Sequence, residues 1–94
     1  MRQTNGTAVD VNDTEIMDGL LLLARSEGLL CEPTCAVVIA ALEHMKQVAA
    51  GATVCCLLTG NGVKDIATIS KHIPEPKTIP ANIDALRTIA EEKA

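Results

Sequence analysis

The apolar positions of this chain fall into blocks separated by turn residues, and the spacing changes from block to block. Ala8-Val9-Asp10-Val11 alternates, the two-residue period of a short strand. From Asp13 to about Glu27 the period lengthens. Ile16, Leu20, Leu23 and Ala24 recur at helical spacing. Asn12 precedes this block and Glu15 follows three residues later, a pair able to satisfy each other's free amides at a helix start. Asp13 and Glu15 also put negative charge at the positive end of the helix dipole. Gly28 predicts a left-handed stop.

Leu29-Leu30-Cys31 is a three-residue apolar step, read as a short strand. Pro33 suits the first turn of a helix, where its missing N–H costs nothing. Thr34 to Ala49 is apolar almost all round, with Glu43, His44, Lys46 and Gln47 gathered late, so it predicts a helix covered over most of its circumference and ended by Gly51. Thr53-Val54-Cys55-Cys56-Leu57-Leu58 does not alternate. A continuous apolar run of that length reads as a strand buried on both faces, as in a parallel sheet. It stops at Thr59-Gly60-Asn61-Gly62, and Val63 to about His72 follows as a weaker helix. Pro74, Pro76 and Pro80 mark an extended stretch. Asn82 caps a last helix carrying Ile83, Leu86, Ile89 and Ala90.

Strands and helices in alternation predict an α/β fold, a small partial parallel sheet flanked by helices. Residues 1–73 form the partial domain, and residues 74–94 form a Pro-rich extension with a C-terminal helix. At most three strands are on offer, so the sheet has open edges, and these are a route to a homo-oligomer. With 94 residues the chain can bury roughly 60% of its unfolded surface.

Composition narrows the chemistry. Phe, Tyr and Trp are absent, which removes stacking platforms for bases and an aromatic membrane belt. Net charge is -4, and the eight cations form no basic stripe, so nucleic acid is not an expected partner. The longest apolar run, Cys35 to Leu42, is far short of the ~20 residues that span a bilayer. Met1 to Gly6 carry no apolar signal segment and read as a chain entered midway. Cys31, Cys35, Cys55 and Cys56 sit in or beside apolar segments, which points to reduced thiols in a cytoplasmic setting. Their spacing does not match a zinc ribbon, and adjacent strand residues face opposite ways, so no metal site is assigned. A catalytic thiol needs a base. His44 and His72 are both read as surface residues.

Ligands in open α/β sheets bind beyond the carboxyl ends of strands. Thr59-Gly60-Asn61-Gly62 occupies that place after the best strand, and Glu32 follows another strand end. The glycines permit close backbone approach, and the Thr59 hydroxyl can make a directed hydrogen bond. The same residues also suit a plain turn and an acid at a helix start.

Ala24-Arg25-Ser26-Glu27-Gly28-Leu29-Leu30-Cys31-Glu32-Pro33-Thr34-Cys35-Ala36, followed by Leu58-Thr59-Gly60-Asn61-Gly62-Val63-Lys64-Asp65, resembles the C-terminal part of the threonine synthases. These belong to the tryptophan-synthase-β-like, fold type II pyridoxal-phosphate enzymes. The resemblance runs from about Ala8 to Asp65, and segment order extends it to Leu86. Threonine dehydratases and cysteate synthases share the broader pattern, and the T-G-x-G-x-K-D form leans toward threonine synthase. The resemblance implies pyridoxal phosphate as cofactor and a parent reaction from O-phosphohomoserine and water to threonine and phosphate. It implies that Thr59 hydrogen-bonds the cofactor's pyridine nitrogen. It further implies that Gly60, Asn61 and Gly62 hold Thr59 in place and that Glu32 lies near the ring. The family's Schiff-base lysine and Gly-rich phosphate loop have no counterpart: Lys46, Lys64, Lys71, Lys77 and Lys93 lack that lysine's motif context. No catalytic residue is assigned, and the chain alone is expected to be inactive. A stand-alone interaction module that forms a homodimer is the alternative.

Overall fold

The computed structural model describes residues 2–46 and 48–93. Met1 and Gln47, both used in the sequence reading, lie outside the described residues.

Four α-helices carry the structure: α1 (Asp13–Glu27), α2 (Pro33–Ala41), α3 (Ile66–Ser70) and α4 (Ile83–Glu92). Short 3-10 turns cover Arg2–Thr4, Leu42–His44 and Gly62–Asp65. The local start and stop signals act as expected. The Glu15 amide donates to Asn12 Oδ1 at 2.9 Å, and the Asn12 amide donates to Glu15 Oε2 at 2.8 Å. Gly28 takes the left-handed conformation at φ 69° and donates its amide to the Ala24 carbonyl at 3.1 Å. Pro33 opens α2, and Asn82 caps α4 by accepting from the Ala85 amide at 2.8 Å.

Helices α1 and α2 form a hairpin around residues 28–32. Gly19 lies against the backbone of Ala36 and Ala40, so the two helices approach closely. The core collects Met17, Leu20 and Leu23 from α1, Cys31 from the connection, Cys35 and Ala36 from α2, and Ile69 from α3. Leu58 packs against this cluster from the distant strand-like run.

The α/β expectation is overturned. Among the described residues there is no strand and no sheet, only one isolated antiparallel bridge between Cys31 and Asn61. The reason is physical. A strand makes no backbone hydrogen bonds within itself and needs a neighbour to supply them. Thr53 to Leu58 has the composition of a buried strand, yet no segment lies alongside it in a ladder, and Val54 and Leu57 stay exposed. Ala8 to Val11 is likewise irregular, and Leu29 to Cys31 contributes a single bridge. The open sheet edges expected from the sequence are therefore not found among the described residues.

The helix expected to reach Ala49 also ends early. Helix α2 stops at Ala41 and tightens into the 3-10 turn Leu42–His44. His44 Nε2 lies 2.9 Å from Glu15 Oε1, in the first turn of α1. Past that point α2 has no more of α1 to pack on, and packing rather than propensity sustains most helices.

The molecule is extended. Its radius of gyration is 18.0 Å, against about 12–13 Å for a compact chain of this size. Accessible surface is 7644 Å², against roughly 5200 Å² for a compact monomer of this mass. The chain therefore buries a little under half of its unfolded surface, less than the sequence length allows. No residue of α4 is buried.

Candidate functional site

The site forms where the α1–α2 connection meets the loop after Leu58. Two backbone bonds join them: the Glu32 amide donates to the Gly60 carbonyl at 3.2 Å, and the Gly62 amide donates to the Leu30 carbonyl at 3.0 Å. Both flank the Cys31–Asn61 bridge. The Asn61 side chain accepts from the Val63 amide at 2.9 Å and so starts the 3-10 turn Gly62–Asp65. That bond fixes the loop's exit. Gly60 lies close to Glu32, and a Cβ there would overlap the Glu32 side chain, which would have to turn aside.

Glu32 is the residue before α2, yet its side chain caps no amide. It turns instead toward Cys35, whose Sγ donates to Glu32 Oε1 at 3.6 Å. The same sulfur lies 3.3 Å from Thr59 Oγ1. Cys35 is buried, Glu32 half-buried and Thr59 exposed. Carboxylate, thiol and hydroxyl thus form one polar row running from the base of α2 to the surface. Burial pushes the Cys31 thiol above its ordinary value, with smaller pushes from neighbouring Cys35 and Glu32 opposing a backbone hydrogen bond. Cys31 is consequently a neutral wall at pH 7.

A cavity of about 610 Å³ opens over this junction. Leu29, Leu30 and Leu58 give it apolar walls, and Thr59, Gly60 and Asn61 give it polar ones. The volume falls within the range of small-molecule pockets, and the lining combines an apolar surface with a few directed polar groups. The Glu32 carboxylate lies against Gly60, outside that lining.

A family model described as "Pyridoxal-phosphate dependent enzyme" matches residues 1–60. The chain belongs to the pyridoxal-phosphate dependent enzyme family. Among curated proteins it is similar to the threonine synthase of Synechocystis sp., 51% identical over 65 residues, covering 68% of this chain and 17% of that protein. The threonine synthase of Methanosarcina acetivorans is 38% identical over 97 residues, 100% of this chain and 24% of the relative. That of Mycobacterium leprae is 37% identical over 93 residues, 96% and 25% respectively. The chain therefore spans at most about a quarter of the length of these relatives. The family's cofactor is pyridoxal phosphate, and the residues present suit part of its pocket. Leu29, Leu30 and Leu58 give apolar walls of the kind a flat heteroaromatic ring would need, and Thr59 puts a hydrogen-bonding residue in the same lining.

The structure brings Thr59, Gly60, Asn61 and Glu32 to one junction. Sequence reasoning missed Cys35, which touches both Thr59 and Glu32. A signal was available, since Cys35 follows Glu32 by three residues at a helix start, a spacing that places both on one side. The histidines stand apart from the row. His44 contacts Glu15, and His72 Nδ1 lies 3.0 Å from the Thr68 carbonyl.

Proposed function

We propose that this chain supplies one wall of a pyridoxal-phosphate pocket in an enzyme of the threonine synthase kind. The observation that carries the reading is Thr59, an exposed residue in the lining of the 610 Å³ cavity whose Oγ1 lies 3.3 Å from Cys35 Sγ. With the cofactor in place, this hydroxyl would hold its pyridine nitrogen. A neutral donor leaves that nitrogen largely unprotonated, whereas a carboxylate in its place would keep it protonated. Pyridoxal phosphate, when bound, supplies the electron sink for chemistry on an amino-acid substrate. Gly60 and Asn61 set the height and exit of the loop that presents Thr59. Glu32 acts one contact further back, through Cys35. The whole enzyme would convert O-phosphohomoserine and water to threonine and phosphate. The four free cysteines accord with a cytoplasmic setting.

The test titrates the isotope-labelled chain with pyridoxine 5′-phosphate, which lacks the aldehyde and cannot condense with lysines. Amide shifts should concentrate at residues 58–63, and Thr59→Val should weaken binding about tenfold, the loss of one directed hydrogen bond. Absence of shifts at Thr59 to Gly62 at millimolar ligand sinks the reading.

A second reading, self-association, is favoured by the surface. The chain exposes roughly 2400 Å² more than a compact monomer of its mass, beyond what a standard interface needs per partner. Leu57 and Val63, 72% and 71% exposed, head that surface. Sedimentation equilibrium should show dimer at micromolar concentration, and an ideal monomer throughout rejects it.

A further inference from the structure

We propose that the Cys35 thiol is a positioning group that sets the direction in which Thr59 donates its hydrogen, by swapping its own hydrogen between Glu32 and Thr59. The proposal rests on the cofactor reading of Thr59.

The geometry is a row of three groups. Cys35 Sγ lies 3.6 Å from Glu32 Oε1 and 3.3 Å from Thr59 Oγ1. The thiol has one hydrogen and can face only one neighbour with it. A carboxylate accepts and cannot donate. With the S–H directed to Glu32, the sulfur offers a lone pair to Thr59, and the threonine O–H points inward to sulfur. In that arrangement the outward face of Oγ1 is an acceptor only. When a ring nitrogen arrives, the O–H must turn outward to donate. Oγ1 then has no inward hydrogen, and rotation about the Cys35 Cβ–Sγ bond brings the S–H to it. No covalent bond is made or broken, and no charge moves. The two arrangements differ by the rotation of two hydrogens.

Burial makes this arrangement consequential. Cys35 is 5% exposed, so the thiol has Glu32 and Thr59, not bulk solvent, as its polar neighbours. The backbone fixes both ends. Cys35 sits in the first turn of α2, held by its amide bond to the Glu32 carbonyl at 2.9 Å, and Gly60 is tied to Glu32. Hydrogen bonds in such a chain polarise one another, so an inward S–H to Oγ1 strengthens the outward donation. The thiol thereby tunes how firmly a neutral hydroxyl holds the ring.

The experiment uses the 94-residue chain in four forms: wild type, Cys35→Ala, Cys35→Ser and Thr59→Val. Without ligand, three-bond couplings report the χ1 rotamer of Thr59 and of Cys35. A single Thr59 rotamer is expected in the wild type and in Cys35→Ser, and rotamer averaging in Cys35→Ala. Thr59 is exposed, so Thr59→Val keeps the fold, and there the ligand should no longer shift the Cys35 Hβ and Cβ resonances, a readout that stands even if Cys35→Ala fails to fold. With pyridoxine 5′-phosphate, Cys35→Ala should raise Kd about fivefold and Cys35→Ser less than twofold. In the Thr59→Val background the alanine change should add nothing. Unchanged Thr59 couplings in Cys35→Ala, ligand-induced Cys35 shifts that persist in Thr59→Val, or losses that simply add, overturn the proposal. Binding with a freely rotating wild-type Thr59 rejects the thiol's role alone. A locked Thr59 with no ligand-induced shift rejects the cofactor reading and the outward half of the swap with it.

Discussion

At the scale of the residue, close contacts decide. Gly60 is the clearest case. Any side chain there meets the Glu32 carboxylate, so Gly60→Ala must push the loop away from α2 or displace Glu32. The atoms met belong to the half-buried Glu32 side chain and not to backbone, so turning Glu32 aside is the cheaper response, and the cost falls at the low end of the range of about 1–3 kcal/mol for overpacking. The expected outcome is a lower melting temperature and faster amide exchange at Glu32 and Gly62, with Glu32→Ala restoring much of both. A Gly60→Ala variant that melts with the wild type would deny the close approach. Glu15 offers a pH handle. The Asn12 amide and then the His44 side chain hold its carboxyl below the ordinary 4.5. A carboxyl lowered in the folded state stabilises the fold above its unfolded value, and the contribution disappears as pH falls through the folded value. Acid titration followed by helix signal should therefore show wild type losing stability below pH 4.5 more steeply than Glu15→Gln. The group is exposed, so the separation is small, and parallel curves would remove Glu15 from the account.

At the scale of the element, the sequence was most legible where a signal acts within four residues. Asn12 with Glu15, Gly28, Pro33 and Asn82 mark helix ends by local hydrogen bonds and backbone preference, and each stands where it was expected. Strands could not be read in the same way. Val54, Cys55, Cys56 and Leu57 have the composition of a covered strand, but a strand is defined by its pairing, and among the described residues no segment pairs with this one. The end of α2 was illegible for a related reason, because it is set by where α1 begins. The site was half legible. Thr59, Gly60 and Asn61 were visible as a loop of special residues, whereas Cys35 joined them through a contact spanning 24 positions. Helix α4 offers a test of independence. Its cap is local and none of its residues is buried. Asn82→Ala should cost about 1 kcal/mol of helix stability, seen as fraying at residues 83–86. Unfolding of α1 and α2, followed at Leu20 and Ala36, should stay unchanged. A global loss of stability would show that α4 belongs to the core.

At the scale of the molecule, the numbers describe an open structure. The chain is 62 Å long and only 19 Å thick, and its buried apolar set is small. Denaturant sensitivity follows the surface newly exposed on unfolding. Because the chain buries roughly a quarter less surface than a compact chain of equal mass, the urea slope should be lower by about that fraction. An ordinary slope would mean that the exposed apolar side chains are covered in solution, and concentration dependence would identify another copy as the cover. The placement of the open surface bears on function. Leu29, Leu30 and Val63, all exposed, line the same cavity as Thr59.

The pair of backbone bonds that ties Leu30 and Glu32 to Gly62 and Gly60 has one further consequence. It joins the two ends of a long excursion, so chain added between His44 and Leu57 need not alter how those ends meet. The entropy of closing such a loop grows only logarithmically, by about 0.6 kcal/mol for each doubling. Evolution or an engineer can therefore lengthen, shorten or decorate that stretch freely, while the two clasped strips of backbone keep the threonine pointing where it does.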